Sequence, residues 1–231
     1  MSTSEFESKP KFLDRLSAVL QRWRLILLIV LIVLLVGVVA YFVWTEVQAG
    51  AREKSSVWAE RAEDLQQQWV NEADAAKKQA LEKELTDLVG RILSRYPRQY
   101  AAQRAFLIRA DMAYRAKDWA KAAESYRALA DRFPRSYLAP LGLMYAGVCQ
   151  EELGDLKQAL ADYQRVRDRY KDSYLVPHVL FAVGRLLETE GDFAGAQKVY
   201  TQLEDEHPES AWTRASRNRI IELKIEGKVS E

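Results

Sequence analysis

Past Arg95 the chain repeats itself every 37 residues, and that period restricts the fold more than any other feature of the sequence. Asp118, Asp155 and Asp192 stand one period apart, as do Ala122, Ala159 and Ala196. Tyr126, Tyr163 and Tyr200 keep the step, and so do Leu129, Val166 and Leu203. The register extends through Trp119, Leu156 and Phe193, and through Ala110, Gly147 and Gly184. Tyr96-Pro97, Phe133-Pro134, Tyr170-Lys171 and His207-Pro208 close successive units without a single insertion.

The residue types describe a helical hairpin. A first helix is predicted to stop at Gly154-Asp155 or Gly191-Asp192, where glycine takes the left-handed conformation and aspartate caps the second helix. Lys117 replaces glycine in the first unit, so that turn is expected to be less well stopped. Ala110, Gly147 and Gly184 let two helices approach closely. The tyrosine and the Leu or Val three residues later put bulk on one helical face, between hairpins. Proline ends the second helix, and Ser136, Ser173 and Ser210 are predicted N-caps of the next first helix.

Upstream lies a different kind of segment. Leu25 to Trp44 is 20 residues without a charge, 16 of them Leu, Ile, Val or Phe. A bilayer-spanning helix needs about 20 such residues, and these favour insertion by about 5–10 kcal/mol. Tyr41, Phe42 and Trp44 at one edge and Trp23 at the other suit an interfacial aromatic belt. Five bases and three acids precede Leu25, whereas Glu46 follows the run and the next base is Arg52. The positive side stays in the cytoplasm, so the C-terminal bulk is expected outside. Val47-Gln48-Ala49 has the small-x-small look of a signal-peptide cleavage site, but the charged leader and the apolar run are both too long for one. No cysteine follows the run, which excludes a lipoprotein anchor. Phe12, Leu16, Val19 and Trp23 share a helical face and predict a short interfacial helix leading into the anchor.

Between anchor and repeats, Trp58, Ala62, Leu65 and Trp69 predict a helix that reaches about Gln68. It either packs on the first hairpin or pairs with a second copy. One period before the first clear unit, Trp69, Ala73, Leu85, Val89 and Ile92 keep the apolar rhythm without the aspartate and alanine signatures, a degenerate leading repeat. At the far end Trp212, Ser216, Ile220 and Leu223 form a capping stripe, with Arg214, Arg217 and Arg219 facing away. The expected domains are a cytoplasmic segment 1–24, the span 25–44, a helical linker 45–61, a repeat domain 62–224 and a flexible tail 225–231.

Chemistry is harder to find. A formal charge of +1 gives no pull toward nucleic acid, and a single cysteine gives no disulfide framework. There is no glycine-rich phosphate loop, no G-x-S-x-G elbow and no H-E-x-x-H pair. His207 fills the slot of Tyr96, Phe133 and Tyr170, a packing position. His178 has no ligand-spaced partner, and Cys149 reads as a buried inert thiol. Glu188-Thr189-Glu190 and Glu204-Asp205-Glu206 read as solvated helix ends. The Arg91/Arg95/Arg98 and Arg167-Asp168-Arg169 runs read as balanced by nearby acids. The expectation is a protein that is not an enzyme, with no catalytic residue, metal, cofactor, small-molecule substrate or nucleic acid.

The small-residue, alanine, aromatic and proline positions Ala110, Ala122, Tyr126 and Pro134, with their equivalents, resemble the tetratricopeptide repeat family. Phe133-Pro134-Arg135-Ser136 is similar to a subgroup common in bacterial envelope proteins. The resemblance implies an all-α fold: a transmembrane helix, then a right-handed α-solenoid of three clear repeats, one degenerate leading repeat and a C-terminal capping helix. It also implies a partner groove lined by first helices. Carried over, the groove positions are Arg104, Leu107, Asp111 and Tyr114 in the first unit and Leu141, Met144, Val148 and Glu151 in the second. In the third they are His178, Phe181, Arg185 and Glu188. Leu107, Met144 and Phe181 would form an apolar track. The alternative is that some of these residues pack on the capping helix or the leading repeat. The lysines and asparagines with which some members clamp a carboxylate terminus are replaced here by Leu107, Asp111, Met144 and Val148.

The architecture, with Tyr100 to Ala130 most alike, resembles the YfgM-type ancillary subunits of the Sec translocon. That implies a bacterial inner-membrane protein with a periplasmic repeat domain acting as a protein-interaction scaffold. Its partners would be the translocon, a periplasmic chaperone or envelope assembly proteins. The alternative is a structural coordinator of envelope, division or outer-membrane assembly, since the repeats are similar to those of the Tol–Pal coordinator and the outer-membrane assembly lipoprotein.

Overall fold

The computed structural model describes the backbone of residues 11–230 and the side chains of Trp23, residues 25–46 and residues 49–230. Among the described residues there are nine α-helices and no strand. They are α1 (Lys11–Asn71), α2 (Ala75–Arg95), α3 (Tyr100–Arg115), α4 (Trp119–Arg132), α5 (Ala139–Glu152), α6 (Leu156–Arg169), α7 (Val176–Thr189), α8 (Phe193–Glu206) and α9 (Ala211–Ile225). The chain divides into two compact units between Glu53 and Lys54.

In the first unit every side chain from Leu25 to Trp44 is exposed. A helix this apolar, with a mean hydropathy of 3.4 over its core, is long and apolar enough to cross a membrane. The side chains of Phe12, Leu16 and Val19, expected on an interfacial stripe, lie outside the described residues.

In the second unit α3/α4, α5/α6 and α7/α8 are the three predicted hairpins, each helix packing on the next, with α9 touching both α8 and α7. Gly154 and Gly191 stop the first helices at φ +76° and +81°. Asp118, Asp155 and Asp192 cap the second helices, their carboxylates accepting from the backbone N–H groups of Lys121, Gln158 and Gly195. The expected weak stop at Lys117 is corrected. Lys117 adopts the same left-handed backbone at φ +58°, and the N–H groups of Lys117 and Asp118 bond to Tyr114 and Ala113 as in the glycine turns. The aspartate cap and the flanking hairpin hold a lysine where glycine is preferred, at a strain of roughly 1 kcal/mol. Lys117→Gly is therefore expected to stabilise the domain by about 1 kcal/mol, read as a higher denaturant midpoint with unchanged slope.

Close approach explains the small residues. A Cβ on Gly147 would meet the ring of Tyr163 at 2.5 Å, and one on Gly184 would overlap Tyr200. Both rings are fully buried against the facing helix. Across hairpins, Asp162 is completely buried and receives Nε and Nη2 of Arg127 on its carboxylate, at 2.7 Å for the shortest bond.

Several expectations about the ends change. Ala59, Ala62 and Leu65 of α1 pack with Leu85, Leu88, Val89 and Ile92 of α2 and with Ala101, Ala105 and Ile108 of α3. Of the two alternatives for this stripe, packing on the first hairpin is what is seen. The helix stops at Asn71, so Ala73 lies in the loop and is not an equivalent of Ala110. The aspartate signature survives after all as Asp74, which caps α2 through the N–H of Lys77. It stands seven residues ahead of register because α2 has 21 residues where the other second helices have 14. Seven residues are two helical turns, so the buried face is preserved and the shift leaves no break in the apolar rhythm.

Ser210 caps α9, but Ser136 and Ser173 cap one turn earlier than expected, accepting from Leu138 and Leu175 while α5 and α7 begin at Ala139 and Val176. Arg219 does not face away; it pairs with Glu188 of α7. Residues 226–229, expected as loose tail, form a turn at Gly227 (φ +68°) that returns Lys228 onto the ring of Phe193 at 4.6 Å.

Candidate functional site

The twelve predicted groove positions do not share one open surface. At the C-terminal end α9 covers them. His178 stacks flat on Trp212 at 4.1 Å, and Phe181 lies 5.3 Å from the same indole and 5.7 Å from Tyr200. Glu188 accepts from Tyr200 Oη at 2.5 Å and is paired with Arg219. It is thus bound and largely covered, not a solvated helix end. In the middle, Met144 is buried in the core shared by α5, α6 and α7, with Val148 packed against it. Glu151 accepts from Tyr163 Oη at 2.6 Å and pairs with Arg185. The apolar track Leu107–Met144–Phe181 is therefore interrupted, because the core takes its middle member and the cap its last.

The remaining five predicted positions converge. Arg104, Leu107, Asp111, Tyr114 and Leu141 line a recess of about 280 Å³ together with Gln66, Ile108, Tyr126 and Tyr145. Helix α1 forms its polar wall. Glu63 accepts from Arg104 Nε at 2.5 Å, and Gln66 Nε2 donates to Asp111 at 2.8 Å, where Arg115 also donates. The apolar wall is aromatic. Tyr126 stacks on Tyr145 at 5.3 Å and Tyr114 meets Tyr145 edge-on at 6.3 Å.

The recess exists because the first unit departs from the repeat. In the second and third units Glu151 and Glu188 take the hydroxyls of Tyr163 and Tyr200 and are bound in turn by arginine. The first unit has Tyr114 at that position, so Tyr126 has no carboxylate acceptor and its ring is shared with Tyr145 instead. Tyr145 is the functional candidate that sequence reasoning missed. Its equivalents are Ile108 and Ala182, so the exception to the period was the available signal. Burial, and the nearby Asp111, raise the Tyr126 hydroxyl well above the usual phenol value, so it stays a neutral donor.

Such a space is at the small end of ligand pockets, with room for one or two side chains. Among the described residues no cluster of three or more His, Cys, Asp or Glu could hold a metal ion. Cys149 is buried, and burial pushes its thiol up to about 11, which makes it inert at neutral pH. His207 caps the end of α8 through its backbone. Arg91 and Arg95 lie over the Trp58 ring at 5.8 and 6.0 Å, so these two members of the run are held by an aromatic face and not by acids.

The cap seam has a pH signature. Burial, then Arg185, lowers the His178 imidazole. Folding therefore resists its protonation, and stability is expected to fall as pH drops below about 6.5, the ordinary value, toward the lowered one. Burial raises the Glu188 carboxyl, but Arg219 and Tyr200 outweigh it and the net shift is downward. Its contribution is present above the usual carboxylate value and is lost only below it. His178→Phe is expected to remove the loss between pH 7 and 5 while leaving the acid limb, as read by denaturation midpoints across pH.

A row of capped helical hairpins with an aromatic recess defines a repeat protein of the class that typically works as a non-enzymatic interaction scaffold. The chain matches the tetratricopeptide repeat-like domain family over residues 19–226 and belongs to it. No curated protein matches the chain.

Proposed function

We propose that this is a membrane-anchored, periplasm-facing scaffold that takes a segment of a protein partner into the Tyr114/Tyr126/Tyr145 recess. The observation that carries the proposal is the recess itself, where Tyr114, Tyr145, Leu107 and Leu141 stay partly exposed over the buried Tyr126 ring while the rest of the apolar track is filled. Rigid aromatic faces beside aliphatic side chains are the usual anchors of protein recognition. The excess of bases before Leu25 supports a cytoplasmic N-terminus. The finer reading places the domain near exported proteins at the translocon, with periplasmic chaperones.

A photocrosslinking amino acid at Leu107 or Tyr145 in growing cells tests this. Crosslinks to translocon subunits, exported proteins or a chaperone, absent from a probe at exposed Leu153, are the expected result. Crosslinks to Tol–Pal or cell-wall synthesis proteins would favour an envelope coordinator. Recovery of no envelope protein from either position sinks the proposal. Leu107→Glu/Leu141→Glu is the appropriate loss-of-binding variant, because Met144 and Phe181 are covered and a charge there would unfold the domain.

A further inference from the structure

At the junctions between one hairpin and the next stand three tyrosines at the repeat period, Tyr100 as the first residue of α3 and the others in turns, and they become more exposed along the row. Tyr100 is 49% exposed, Tyr137 71% and Tyr174 80%. They are connected. Tyr100 Oη lies 3.0 Å from Tyr137 Oη, and Tyr170 Oη donates to the Pro134 carbonyl at 3.0 Å. An open recess of about 620 Å³ separates Tyr137 from Tyr174, with Arg135, Arg169 and Lys171 on its rim. None of these three, nor Arg98 in the turn before Tyr100, is within ion-pair distance of an acid among the described residues. Asp172 is the one acid that also lines the recess. A chain with a formal charge of only +1 thus gathers four unpaired cations beside three exposed phenols.

We propose that this tyrosine edge rests on an anionic lipid surface, its arginines and lysine taking headgroup phosphates and its rings lying at headgroup depth. Rings with polar tips interleaved with arginine and lysine are the composition of membrane interfaces. Peptide anchors instead need an enclosed, desolvated pocket, which this edge lacks. Trp58 sits on this same edge of the domain, edge-on to Tyr96 at 5.4 Å. The inference rests on reading residues 25–44 as a span.

Hydroxyl-radical footprinting of the full chain in nanodiscs tests it. Oxidation of Tyr137 and Tyr174 is expected to fall about five-fold or more when phosphatidylcholine discs are doped with phosphatidylglycerol. Leu153, in a turn at the other end of the hairpins, should be unchanged. High salt, or Arg98→Glu/Arg135→Glu/Lys171→Glu, should restore the reactivity. Equal oxidation in neutral and anionic discs overturns the proposal. Protection that appears only on adding an envelope extract also overturns it, in favour of a protein partner. A chain that elutes apart from the discs defeats the span reading alone. Flotation with phosphatidylglycerol vesicles then reads the edge directly: salt-sensitive binding supports it and no binding overturns it.

Discussion

Alanine at Tyr163 is expected to cost the repeat domain about 3–5 kcal/mol and to split its unfolding into two steps. The ring is fully buried, lies against Gly147 and carries the hydroxyl that Glu151 accepts. It belongs to the core cluster that joins α5 and α6 to α7. Helices in such a row touch mainly their neighbours, so a cavity here weakens one junction and leaves each side partly independent. Tyr163→Phe should cost only about 1 kcal/mol, the worth of one hydrogen bond. Gly147→Ala supplies a sharper check because its effect should change sign. With Tyr163 in place the new methyl has nowhere to go, and a net loss of about 1–2 kcal/mol is expected. In the Tyr163→Ala background the same change should stabilise by about 1 kcal/mol, the helix preference of alanine over glycine. Urea unfolding of the four proteins measures it, and additivity would defeat the account.

Arg127→Ala is expected to be as damaging, about 3–5 kcal/mol, and worse than Asp162→Ala. The asymmetry comes from burial. Asp162 is 0% exposed, and without Arg127 its nearest cation is Arg165, 3.9 Å away and already engaged by Asp131 at 2.5 Å. The Arg127 side chain is 26% exposed, so losing Asp162 leaves a guanidinium that reaches water. A loss of about 2 kcal/mol is expected for Asp162→Ala, with Arg127→Met/Asp162→Leu recovering much of the difference. Equal losses for the two single variants would contradict this reading.

The hairpins were legible because their signals are local. An aspartate cap, a glycine stop and a small residue beneath a tyrosine each act within one unit, and repetition made them visible. The leading repeat was misplaced by a shift of two whole helical turns, which preserves the apolar phase and hides the insertion at Asp74. The fates of Glu188, Arg219 and Phe181 were not legible, since they depend on which helix α9 meets. Five of the nine residues lining the recess came from transferred groove positions. Gln66 belongs to another helix, and Tyr145 is an exception to the period that a search for agreement passes over.

The recess draws its polar wall from α1, the helix that continues toward the apolar run. Any tension on the domain through Lys54 would load first the seam of Ala59, Ala62 and Leu65 against α2 and α3. Peeling that seam would carry away Glu63 and Gln66, opening the aromatic cradle while the hairpins beyond it stayed folded.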